Sequence, residues 1–103
     1  MGKSKFTINM DYQNVIRQKN NIGDIAEKIN AERQKLEGIR MQTANKWKGE
    51  ESEKYISMLQ KKEAELRDIS SQIKNLTGII QTMAETVRDA ELYALEKAND
   101  RDY

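Results

Sequence analysis

The sequence predicts an all-α fold: an antiparallel two-helix hairpin that pairs into a four-helix bundle. Three observations carry this. The 103 residues contain no proline, and 34% of them are charged, which suits long solvated helices better than a sheet. Apolar residues recur at heptad spacing through two long segments. Between the segments, near the middle of the chain, stands Lys46-Trp47-Lys48-Gly49-Glu50-Glu51, where a glycine lets the backbone reverse.

In chain order, residues 1–10 read as an N-terminal arm, with Phe6, Ile8 and Met10 alternating with polar neighbours. Asp11 is the expected N-cap of helix 1, residues 11–46. Val15, Ile22, Ile29 and Leu36 fall seven apart, with Ile25 and Ile39 in the intervening row; Gln18 and Glu32 interrupt it, and Gly23 and Gly38 lie off it. Residues 47–50 form the Trp-x-Gly turn. Lys46 and Lys48 precede it and Glu50, Glu51 and Glu53 follow, each sign suited to the adjacent helix terminus. Helix 2, residues 51–98, has the cleaner pattern: Leu59, Leu66, Ile73, Ile80, Val87 and Ala94 in one row, Tyr55, Ile69, Leu76, Met83 and Ala90 in the other, interrupted by Lys62. Residues 99–103 are a tail, and 1–103 form one hairpin domain.

A reversal centred on Gly49 sets Ile39 against Leu59, Ile29 against Ile69, Ile25 against Ile73, Ile22 against Leu76 and Val15 against Met83. Glu32 and Lys62 then face each other at the seam and help fix its alignment. Asp11 comes level with Val87, so the segment from Arg88 to Ala98 projects past helix 1. Further apolar residues widen the face beyond what one neighbour covers, and Ile56, Met58, Ile79, Ala84 and Tyr93 are the candidate dimer-interface residues.

The composition excludes most chemistry. Eighteen basic residues against 17 acidic ones, with no basic block, argue against nucleic acid as a partner. Without histidine or cysteine the chain lacks the commonest general base and metal ligand and every thiol, so no catalytic residue, metal site or cofactor is expected. No nucleotide-binding or zinc-protease motif occurs. The N-terminus has no apolar run of signal-peptide length, and no stretch approaches the roughly 20 apolar residues of a membrane span. Periodicity alone therefore yields an interaction module, with a cytoplasmic coiled-coil adaptor or chaperone, pairing with a larger helical partner, as its plainest function.

A chain of about a hundred residues with Trp47-Lys48-Gly49 at its middle, between two heptad helices, resembles the WXG-hundred family, the early secreted antigen-like substrates of bacterial type VII secretion. The resemblance implies a homodimer or a heterodimer with a related hairpin protein. It also implies export without a cleaved signal, recognition by the system's secretion ATPase, and a role as substrate or co-secreted partner of a larger effector. The family's export signal is a tyrosine followed four residues later by an acidic residue. Here Tyr93 has Lys97 at that spacing and Glu96 one residue early, so the pattern is not met as written; Tyr93 and Glu96 are the candidate signal, with Tyr93 as an ordinary interface residue the alternative.

Overall fold

The computed structural model describes residues 3–101 and consists of two helices, α1 (Lys5–Lys46) and α2 (Glu50–Arg101), packed against each other as a hairpin. The turn follows the sequence expectation, but the helices are longer. Helix α1 begins at Lys5 and not near Tyr12, because Ser4 caps it: the Ser4 hydroxyl accepts the Thr7 amide at 3.1 Å, and the Ser4 carbonyl accepts the Ile8 amide at 3.0 Å. Asp11 sits inside the helix and accepts a hydrogen bond from the Lys3 ammonium at 2.9 Å, which is the leading cause of that ammonium's raised pKa. Most of the expected arm is therefore helical. Helix α2 runs through residues 99–101 of the expected tail; residues 1, 2, 102 and 103 lie outside the described residues.

The hairpin comprises two compact units. In the unit spanning Gly23–Lys74, Ala26 is 0% exposed and its carbonyl accepts the Ser70 hydroxyl at 3.1 Å. Arg40 donates to Glu63 at 2.6 Å, and that carboxylate is buried together with Ser52, Leu59 and Ser70. The Glu63 hydrogen bond holds the Arg40 guanidinium above its ordinary pKa, opposed by burial. Lys74 reaches Glu27 at 3.3 Å. These levels lie close to those set by a reversal at Gly49, so the expected register is about right.

The rotation about each helix axis differs from the expected one. The inward row of α1 here is Ala26, Arg33 and Arg40, with Ile29 and Leu36 half-buried beside it, while Ile25 and Ile39 are exposed. On α2 the inward line runs through Ile56, Leu59, Glu63, Leu66, Ser70 and Ile73, while Tyr55 and Ile69 are exposed. Of the two expected rows on α2, one turns inward from Leu59 to Ile80 while its Val87 and Ala94 are exposed, and the other turns out. The expected pairs Ile39 with Leu59, Ile29 with Ile69 and Ile25 with Ile73 thus each place an outward residue against a covered or half-covered one. Small residues favour this line at one level: at Ala26 and Ser70 the helices come close enough for the Ser70 hydroxyl to reach the Ala26 carbonyl at 3.1 Å, which a pair of isoleucines would not allow. Glu32 pairs with Lys35 on its own helix, and Lys62 with Glu65, in place of the expected Glu32–Lys62 contact.

The other unit joins residues 3–22 to 75–101. Ile8 and Ala84 are its buried apolar residues, so Ala84, expected at a dimer interface, packs within the chain. Lys19 donates to Gln81 at 2.9 Å, Gln81 to the Tyr12 hydroxyl at 3.2 Å, and the Arg88 guanidinium lies 4.3 Å from the centre of the Tyr12 ring. Lys3 reaches Glu91 at 3.4 Å. Arg88 and Glu91 are therefore covered by α1 and its cap, and the expected overhang from Arg88 begins later, because α1 starts six residues sooner than Asp11.

At the turn, Gly49 adopts a φ of 129°, which strains any residue carrying a Cβ, and it stands immediately before α2. Its carbonyl accepts the Ser52 hydroxyl at 2.8 Å and the Glu53 amide at 3.2 Å, fixing the start of the second helix. Space around Gly49 is open, so the cost of a side chain is conformational. Gly49→Val is expected to destabilise the hairpin by about 1–2 kcal/mol in urea unfolding. Ala26→Leu, which overfills the site of a fully buried alanine between the helices, is expected to cost about 1–3 kcal/mol in the same assay. An unchanged midpoint in either case contradicts the role given to that residue.

Candidate functional site

The turn presents an aromatic to solvent. Trp47 is 64% exposed, although its amide is tied to the Thr43 carbonyl at 2.9 Å, and its neighbours Lys46, Lys48, Glu50 and Glu51 are exposed as well. An exposed indole on a hydrogen-bonded reversal has the shape of an anchor that a partner can cover. Near the other end of α2, Tyr93 is 62% exposed and Glu96 is exposed, while the Lys97 ammonium lies 5.4 Å from the centre of the Tyr93 ring. Lys97, which stands at the spacing where the family's export pattern has an acid, thus places a cation over one face of the tyrosine ring.

The expected interface residues divide. Met58, Ile79 and Tyr93 are exposed, Ile56 is half-buried, and Ala84 is 9% exposed within the chain. The exposed apolar surface also takes in residues expected at the seam within the hairpin. In the turn unit Ile25, Ile39, Tyr55 and Ile69 are exposed, and in the terminal unit Val15, Leu76, Met83 and Val87 are. Each exposed row of the turn unit lies one residue before an inward row, Ile25 before Ala26 and Ile69 before Ser70. One residue is a rotation of about 100°, and because the helices run antiparallel both rotations swing the rows to the same side. The turn unit therefore carries a two-helix apolar face. Its sequence signal was present in the small and polar row Ala26, Arg33, Arg40, which marks the closer contact.

The terminal unit holds a groove of about 310 Å³ between its helices, floored by Ile8, Val15, Ile80, Met83, Ala84 and Val87 and rimmed by Lys3, Asp11, Arg88 and Glu91. Its lining contains no nucleophile paired with a base. Among the described residues no group of three or more acidic side chains could hold a metal ion, and no helix is long and apolar enough to cross a membrane.

The exposed tryptophan at a reversal between two long helices can now be set beside known proteins. No curated protein and no solved structure matches the chain. The family model WXG100, described as proteins of 100 residues with WXG, matches residues 7–92, nearly the whole hairpin with Trp47-Lys48-Gly49 inside it. The chain belongs to the WXG100 family.

Proposed function

We propose that the chain is a non-enzymatic substrate or co-secreted partner of a bacterial type VII secretion system, exported as a single folded hairpin domain without a cleaved signal. Membership of the WXG100 family carries this reading. The exposed apolar rows support it, since a two-helix face left open on a chain of this size suits a protein that travels with a partner. Dimerisation with a second hairpin, identical or related, closes that face into a four-helix bundle. Trp47 and Gly49 form the recognition turn, Tyr93 and Glu96 the candidate export signal, and the secretion ATPase and a larger co-secreted effector are the proposed contacts.

One observation favours the second reading, a cytoplasmic adaptor or chaperone: Lys97 stands over Tyr93 where the export pattern has an acid. Fractionation of producing cells separates the two. Export predicts accumulation in the medium that stops when the secretion ATPase is inactivated; retention in cells with a working system overturns it. Trp47→Ala is expected to abolish export while the melting temperature and oligomeric state stay unchanged, whereas earlier melting alone would make the indole structural.

A further inference from the structure

We infer that the terminal unit opens on its own while the turn unit stays folded, and that α2 yields for this at Gly78. Local opening is easiest where few apolar groups are buried and the contacts across the helices are wet. Among the described residues the terminal unit buries only Ile8 and Ala84 of its hydrophobic side chains, and the groove of about 310 Å³ between its helices leaves Val15, Ile80 and Val87 without full cover. Its helices are joined through polar side chains: Lys19 to Gln81, Gln81 to Tyr12, Arg88 over the Tyr12 ring and Lys3 to Glu91. Such contacts contribute little net stability. Glu91 Oε2 is enclosed yet accepts no hydrogen bond, with the Lys3 ammonium 3.4 Å away, so its burial is incompletely compensated. The turn unit, by contrast, buries Ala26, Leu59 and Ser70 and holds the Glu63 carboxylate on Arg40 at 2.6 Å.

A continuous helix propagates order along its length unless its own stability dips. In α2 it dips at Gly78. A Cβ added there would meet nothing within 4 Å, so no packing requires the glycine, and glycine weakens a helix interior relative to alanine. The Thr82 hydroxyl donates to the Gly78 carbonyl at 3.1 Å and the Thr86 hydroxyl to the Thr82 carbonyl at 2.9 Å, back-bonds that weaken and bend a helix. Residues 75–84 carry no charge, so no ion pair within them reinforces these turns. Counted from Gly49, Gly23 of α1 stands about as far away as Gly78 does, which weakens the first helix at a similar level. One consequence rests on the export reading: opening releases the end of α2 that carries Tyr93 and Glu96 from α1, while Trp47 keeps its hydrogen-bonded turn.

Hydrogen exchange of the full chain, read by mass spectrometry of peptic fragments, tests this. Amides of residues 8–20 and 79–96 are expected to exchange at least about tenfold faster than those of residues 26–44 and 54–72. Ser70→Ala removes the hydrogen bond to the Ala26 carbonyl. It is expected to speed exchange in the turn unit about fivefold and to leave the terminal unit unchanged, because that unit opens with the Ser70 contact intact. Gly78→Ala is expected to slow exchange in the terminal unit about fivefold. Uniform rates along both helices, or equal acceleration of both units by Ser70→Ala, overturn independent opening. Terminal-unit rates unmoved by Gly78→Ala overturn the yield point at Gly78. Either result leaves the export reading standing. Two rate classes in a chain that is retained by cells with a working secretion system uphold the opening and overturn the export reading instead.

Discussion

A helix touches its neighbour along one line, whereas the apolar face of each helix here is two rows wide. That mismatch governs the rest of the structure. A hairpin can cover one edge of such a face, and the edge it covers is the one where side chains are small or mutually paired: Ala26 against Ser70, Arg40 against Glu63. The bulkier aliphatic rows are displaced sideways, and the antiparallel path brings both displacements to the same side. The polar contacts add alignment. A buried carboxylate held at 2.6 Å by a guanidinium tolerates little sliding of one helix past the other, even where its net contribution to stability is small.

Much of this was legible in the sequence. The helical class, the reversal at Gly49, the positive φ of that glycine and the approximate register all follow from heptad spacing and one turn signal. The rotation did not follow, because periodicity reports which residues avoid water and is silent on which neighbour covers them. Ile25 and Ile69 belong to apolar rows whether they meet the other half of the hairpin or another molecule. The discriminating residues were the small ones, and Ala26 and Ser70 carry too little hydrophobic weight to register as a seam. The Ser4 cap is hidden for a similar reason: the residues after it alternate like a strand, while its hydroxyl decides the local conformation.

The candidate site was legible only in part. Trp47 stands out in any composition, and its exposure on a fixed turn is what a recognition residue requires. Tyr93 was visible as an aromatic near the end of α2, but its cover by Lys97 depends on side-chain placement along a helix face. For function, the same geometry has a direct consequence. A hairpin with its aliphatic rows turned out leaves apolar surface uncovered, and the proposed pairing with a second hairpin covers it. The chain belongs to the WXG100 family, and under the proposed function export with a partner is the setting for that open face.

The proposed dependence of folding on association is the point most open to direct test. Thermal unfolding followed by circular dichroism over a hundredfold range of protein concentration measures it, since only a fold linked to self-association shifts its midpoint with concentration. The proposed pairing of two identical hairpins predicts a midpoint that climbs steadily with concentration. A midpoint independent of concentration, in a chain that remains fully helical, would contradict an open face completed by a second copy.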